Sequence, residues 1–330
     1  IGFLLDDLSP SAYVNELIEF VHKTDIFDHP FVITGYNRPT TSKPLYKKIV
    51  AKVKQGPIKF FDAVVRRLLH KIISILEEKN AKRSFPKYLS NYKIKNIDQF
   101  KIINIEGKRS KSSVFLEMTS DDISSISRCG LDCIIRCGSG ILRGSILDVT
   151  RFGVISFHHG DNRVNRGGPS GFWEVLNGES SSGFIIQKLN QELDGGQVFF
   201  RGNLMTAESW LINNAQLLEK SNFFMMKFLH ELAVNKKLPA PEGVTFHANK
   251  LYKIDSNLLL IKYLWKIHLP SLLTLLIAKL TSPVLSRWSV AYAHHNNFSK
   301  SLWRYKQIKN PKGRFLADPF VINNKDQAYV

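Results

Sequence analysis

Residues 131–159 read LDCIIRCGSGILRGSILDVTRFGVISFHH. Two of its runs, LDCIIRC and FGVISFHH, are apolar and rich in the β-branched residues that strands favour. They are continuous rather than alternating, as in strands covered on both faces. The run between them, GILRGSILDV, reads as a short helix. Strand, helix, strand is the repeat of a parallel α/β sheet.

The same pattern extends upstream. IGFLLD at residues 1–6 is a short apolar run. SAYVNELIEFVHKT at 11–24 has helical spacing and Ser11 as a cap. FVITGY and FKIINI read as strands, and TSDDISSISRCG as a helix capped by Thr119 or Ser120 with acidic residues in its first turn. Downstream, GFIIQKLN and GGQVFFRGNL read as an antiparallel pair joined through QELDGG.

One segment interrupts this order. Residues 43–83 are helical in period, broken at Gly56–Pro57, and hold twelve Lys or Arg against three Asp or Glu. Half of the formal charge of +18 therefore sits in one basic amphipathic insertion. It is expected as a solvated helical hairpin covering the sheet, with an anionic membrane surface as the sharper alternative. A surplus of this size suits anionic partners in general: phosphates, RNA or acidic lipid.

From residue 207 the chain reads as helical. The run 256–285 is apolar but interrupted by Lys262, Lys266, His268, Pro270 and Lys279. It falls short of the ~20 uninterrupted residues of a membrane span and is expected as an interfacial or core helix pair. Cys129, Cys133 and Cys137 lie four apart in a strand-like context, too far apart along it to share an ion. They are expected as small buried residues, with no metal. Both ends of the chain fall in apolar runs and look cut.

Chemistry is expected where FGVISFHH ends. Strand alternation puts Ser156 and His158 on one face and Phe157 and His159 on the other. An imidazole at the carboxyl end of a parallel strand can move a proton or stabilise an oxyanion. Asp194, in LDGG, can orient such an imidazole; by itself it reads as a hairpin turn.

Taken together, these residues resemble the folate-dependent formyltransferases: the glycinamide ribonucleotide, methionyl-tRNA and sugar N-formyltransferases. ISFHHG matches the family's Asn-x-His strand, NRGG its loop end, Gly178 and Gly183 its paired glycines, and Asp194 its aspartate. The interval from His158 to Asp194 is 194 − 158 = 36 positions, as in the glycinamide branch. The likeness is strongest over 115–205 and does not extend to the basic insertion. It implies a Rossmann-like, mostly parallel sheet and 10-formyltetrahydrofolate as co-substrate. His158, Asp194 and Ser156 would be catalytic. Gly140, Ile141 and Leu142 would cradle the pterin, and Arg166 with Gly167 would shape the loop or meet a phosphate.

Two departures stand out. Ser156 replaces the family's asparagine, whose amide polarises the formyl oxygen. The polar run GDNRVN replaces the family's apolar folate loop, and His159, Asp161 or Asn162 are its expected compensations. The tail NPKGRFLADPFVI resembles the first strand of a glycosidase-like β-propeller. The expected organisation is a formyltransferase-like α/β domain at 1–205, a helical linker at 206–287 and the start of a truncated β-propeller at 288–330. The expected activity is formyl transfer to the primary amine of an amino sugar or sugar nucleotide, in the cytoplasm or peripherally on a membrane. The alternatives are a catalytically impaired binding or scaffold module and a methionyl-tRNA formyltransferase-like enzyme.

Overall fold

The computed structural model describes residues 1–28, 30–34, 56–109, 115–138, 140–192, 195–243, 251–280, 289–293, 305–312, 314, 316–324 and 327–329. The strands through residue 252 are β1 (Gly2–Leu4), β2 (Phe31–Thr34), β3 (Lys101–Asn104), β4 (Lys108–Arg109), β5 (Phe115–Glu117), β6 (Ile134–Arg136), β7 (Ile141–Arg143), β8 (Val154–His158), β9 (Arg166–Gly167), β10 (Ser181–Lys188), β11 (Gln197–Met205) and β12 (Leu251–Tyr252); in the tail, β13 (Ala291–Tyr292) pairs with β14 (Lys306–Gln307) and β15 (Ile322–Asn324) with β16 (Gln327–Tyr329). The helices are α1 (Ala12–Lys23), α2 (Pro57–Ser84), α3 (Ser120–Ser127), α4 (Phe172–Asn177), α5 (Trp210–Asn235), α6 (Asn257–Tyr263) and α7 (Leu269–Leu280). A π-turn at Leu264–His268 joins the last two.

Seven strands form one sheet in the order β3-β2-β1-β6-β8-β10-β11. The first five are parallel, and β10 and β11 close the far side antiparallel. The chain steps outward from β1 to β2 and β3, then returns to place β6 on the other side of β1. That reversal opens a crevice at the carboxyl ends of the strands, where such sheets hold ligands.

Both faces are covered. On one, α1 and α5 bury Val14, Leu17, Met225 and Leu229 against Phe3, Val32 and Ile155. On the other, Ile126, Ile146 and Leu147 pack on Leu4, Ile33 and Ile134. Each fully buried aliphatic side chain contributes roughly 1.5–3 kcal/mol over an exposed one. Helix α3 begins with a capping box in which the Thr119 side chain accepts from Asp122 N and the Asp122 side chain accepts from Thr119 N.

GILRGSILDV is not a helix. Gly140 and Gly144 take φ of +94° and +79°, and between them Ile141–Arg143 runs extended as β7, beside β5. Only Gly144–Asp148 turns, as a 3₁₀ helix. The two glycines impose breaks that apolar spacing alone does not reveal.

The described part of the insertion, α2, does not cover the sheet. It packs against α5 and α6 in a separate core where Ile73 meets Phe172, Leu260 and Tyr263. Residues 43–55 lie outside the described residues. In the expected linker, 206–287, α5 is packed into the core of the sheet through Met225, Phe228, Leu229 and Leu232.

The buried Glu77 of α2 joins these helices. Its carboxylate accepts from Leu211 N at 2.8 Å, Tyr263 Oη at 2.6 Å and His268 Nε2 at 2.9 Å. Tyr263 Oη also accepts from Trp210 N at 2.7 Å. Ser209, at the N-cap of α5, makes no side-chain cap bond. The open N–H groups of that helix are met instead by Glu77 and Tyr263, from distant parts of the chain.

Candidate active site

Strand β8 carries its last residues out of the core at the carboxyl edge. Ser156 is 1% exposed, and His158 sits at the rim, partly buried. Register sets Ser156 beside Arg136 on β6 and opposite Gln187 on β10, with His158 opposite Ile185. A polar row of Arg136, Ser156 and Gln187 thus crosses three strands of an apolar sheet.

A cavity of about 80 Å³ opens onto this row. Arg136, Ile141, Leu142, Ser156, His158 and Gln187 line it, with Asn190 and Glu192 from the β10–β11 connection. Ser156 and His158, 38 and 36 positions upstream of Asp194, therefore share one cavity with Ile141 and Leu142 of the expected pterin loop. Leu193 and Asp194 lie outside the described residues. Their neighbours form a closed turn: the Asn190 side chain accepts from Glu192 N and donates to Gly195 O, both at 2.9 Å. A larger cavity, about 490 Å³, lies between α1 and residues 87–100 and is lined by none of the residues singled out from sequence.

Arg136 ties the site together. One guanidinium nitrogen stands 3.5 Å from Ser156 Oγ, and another donates to the Gly140 carbonyl, which holds the β6–β7 loop against the strand. Gln187 is 2% exposed, and among the described residues its Oε1 has no hydrogen-bond partner. A buried acceptor left open costs about 1–3 kcal/mol, and this one lines the cavity. In its own three-stranded sheet β7 is an edge strand, which leaves backbone donors and acceptors for a planar heterocycle. These features fit a formyl-folate co-substrate.

Behind His158 the chain is tightly constrained. A Cβ on Gly160 would fall 3.0 Å from His158 Nε2 and 3.1 Å from Asn165 Oδ1. Asn165 hydrogen-bonds the buried Glu174 of α4, whose carboxyl burial pushes above its usual range despite that bond. Glycine at 160 thus leaves room for both the imidazole and the Asn165 amide. Nothing in the sequence but the glycine itself signals this.

The expected compensations for the missing apolar folate loop are engaged with other residues. Asp161 pairs with Arg163 Nη2 at 2.7 Å and Arg201 Nη1 at 2.5 Å. Burial opposes its ionisation, but the two arginines outweigh it and hold the carboxyl below its ordinary range. Asn162 accepts from Arg201 at 3.0 Å. Asp161 O also accepts from Val164 N and Asn165 N, so the polar loop is a braced turn. Gly183 makes room for it, since a Cβ there would lie 2.6 Å from Asp161 Cβ. Its partner Gly178 ends α4 at φ +73°.

His159 faces the other way, as alternation requires. Its ring stacks on Phe157 at 5.3 Å, meets Tyr13 edge-on, and its Nε2 lies 3.0 Å from Ser221 Oγ. Burial, aided by the adjacent His158, pushes it down to about 3. Arg166 and Gly167 form β9, paired with Leu251 and Tyr252 rather than lining the cavity. Gly167 has φ +99°, and a side chain there would strike Tyr252 O. Burial pushes the thiols of Cys133 and Cys137 up to about 12, which leaves them protonated and unreactive.

No family model matches the chain. A 143-residue stretch is 26% identical to methionyl-tRNA formyltransferase of Deinococcus radiodurans, covering 42% of this chain and 45% of that protein. A 205-residue stretch is 25% identical to methionyl-tRNA formyltransferase of Clostridium beijerinckii, covering 59% of this chain and 61% of that protein. The chain thus spans about half the length of the curated relatives it matches. Among solved structures, a sugar N-formyltransferase from Shewanella superposes with 12% identity and a TM-score of 0.40, over 80% of this chain and 87% of that one. In sequence, the chain resembles formyltransferases.

Proposed function

We propose that this protein is an N-formyltransferase that moves the formyl group of 10-formyltetrahydrofolate to a primary amine. One observation carries the reading: His158 and Ser156 open, with Ile141 and Leu142, into a single cavity at the carboxyl edge of the parallel sheet. The nitrogen of the amine attacks the formyl carbon, and the carbonyl oxygen takes the negative charge. His158, at the rim, stabilises that oxygen; as the tetrahedral intermediate collapses, the bond from the formyl carbon to N10 breaks and His158 delivers a proton to N10, so that tetrahydrofolate leaves. Ser156 Oγ is a shorter donor than an amide, and Arg136 beside it brings a permanent positive charge toward the same oxygen. The backbone of Gly140–Leu142 receives the pterin. Asp194 follows Asn190 and Glu192 in the sequence, and the role the resemblance assigns to it is to orient His158 and accept the proton of the amine.

The acceptor we assign is an amino sugar or sugar nucleotide, on the carbohydrate-like tail. A methionyl-tRNA acceptor is the second reading, supported by the names of the two matched relatives and by the net charge of +18. The anionic-membrane contact expected of 43–83 is also a proposal, and the helices beyond residue 256 carry most of it.

The test is formyl transfer from 10-formyltetrahydrofolate to a panel of amino-sugar nucleotides and to methionyl-tRNA, with His158→Ala and Asp194→Asn beside the wild type. Turnover on one acceptor that both substitutions abolish is the expected result. Absence of turnover and of folate binding in the wild type would leave a binding module. Equal turnover in wild type and His158→Ala would overturn the assignment.

A further inference from the structure

The helices outside the sheet leave a large apolar surface uncovered. Residues Ser271–Ile277 of α7 are all exposed. Leu272, Leu273, Leu275, Leu276 and Ile277 each show between 47% and 61% of their surface. Seven consecutive residues pass nearly twice around a helix, so no side of this segment packs on the described residues. Just before it, Trp265 is 70% exposed between the exposed Lys262 and Lys266.

A second stripe lies alongside. α2 and the α6–α7 arm run side by side in the same direction: Asp62 meets Asn257 near their starts, and Glu77 meets His268 further along. On α2, Ile58, Phe61, Leu68, Ile72 and Ile75 are exposed at helical spacing, with Arg67 and Lys71 exposed among them. Charge follows the same division. From Ser256 through Ala317 the sequence holds ten Lys or Arg and no Asp or Glu.

We infer that α7 and the exposed stripe of α2 seat this chain on an anionic lipid bilayer. The leucines of α7 enter the acyl region, Trp265 lies at the interface, and Lys262, Arg67 and Lys71 meet headgroup phosphates. Hydrocarbon covers a helix from every side at once, whereas a protein groove covers one face. Nucleic acid supplies anions but gains nothing from exposed leucines.

Crossing the bilayer does not fit the packing. Asn257–Ile277 is long and apolar enough by composition. Yet Leu260 and Tyr263 are fully buried in the helical core, and Lys266 Nζ donates to Leu176 O at 2.7 Å. The described side chains that are exposed on every side are those of Pro270–Ile277, within the twelve residues of α7. The whole of α7 extends about 18 Å, against the ~30 Å of a bilayer core. The arm therefore dips into one leaflet. This inference is independent of formyl transfer, because none of these side chains lines the cavity at His158.

Co-sedimentation with unilamellar vesicles tests it. The chain should pellet with vesicles of phosphatidylcholine and phosphatidylglycerol in equal parts, and much less with phosphatidylcholine alone. The double substitution Leu275→Ser/Leu276→Ser should weaken partitioning at least about tenfold with unchanged circular dichroism, since both side chains are solvent-facing. Arg67→Gln/Lys71→Gln should weaken it about threefold and lower its salt dependence. A blue shift of emission on vesicle addition should be lost in Trp265→Phe. Three results would overturn the inference: no binding to anionic vesicles; binding that survives Leu275→Ser/Leu276→Ser; or a surface that instead holds a second copy of the chain or a tRNA, with vesicles left free.

Discussion

His158 and His159 are adjacent in the chain and opposite in circumstance. The strand sends His158 to the cavity, among Arg136, Ser156 and Gln187, at the rim of the sheet. It sends His159 into an aromatic pocket, stacked on Phe157 and bonded to Ser221. Composition and sequence neighbourhood do not separate the two residues; a half-turn of pleat does. One imidazole opens onto the cavity. The other is held neutral, and its burial stabilises the fold.

The sharpest way to break this contrast is to exchange the losses. His158→Ala should lower formyl transfer about a thousandfold and leave the melting temperature within about 2 °C, whereas His159→Gln should keep turnover within about threefold and lose about 1–2 kcal/mol of stability. Reversed outcomes in kinetics and thermal melts would mean that the faces have been misassigned.

A smaller effect is expected behind the reactive ring. Gly160→Ala should cost about tenfold in kcat with little change in KM, because the added methyl crowds His158 Nε2 without touching the cavity. Steady-state kinetics at saturating amine separates the two terms.

The partly buried ring of His159 should show itself in acid. His159 falls from an ordinary 6.5 to about 3 in the fold, so the folded state favours its neutral form. That contribution is complete above pH 6.5 and is lost as pH falls toward 3. Denaturant titrations should show a slope of about 1.4 kcal/mol per pH unit within that window, and His159→Gln should remove it. The smallest effect concerns the open acceptor. Gln187→Leu should raise stability by about 1 kcal/mol while lowering turnover about tenfold. A variant that gains stability and keeps full activity would remove Gln187 from the site.

Much of this arrangement was legible in the sequence. The apolar runs marked the strands, alternation separated the two histidines, and QELDGG joined an antiparallel pair. What escaped depends on partners far apart in the chain. Arg136 and Gln187 reach Ser156 only through the register of three strands, which no local pattern reports. β7 was read as helix because apolar spacing outweighed two glycines with positive φ. The polar loop 160–165 suggested ligand contacts, but Arg201, some forty residues on, claims Asp161. Asp194 lies outside the described residues, and its role rests on resemblance alone.

Glu77 gives the molecule a property that neither region has by itself. Its carboxylate closes the first turn of α5 and also anchors the arm that ends in α7. The other face of α5 lies beneath the sheet. A pull on the arm is therefore transmitted through one buried anion to the scaffold of the reaction edge. The arm and the sheet are linked in series through α5, and Glu77 is the joint.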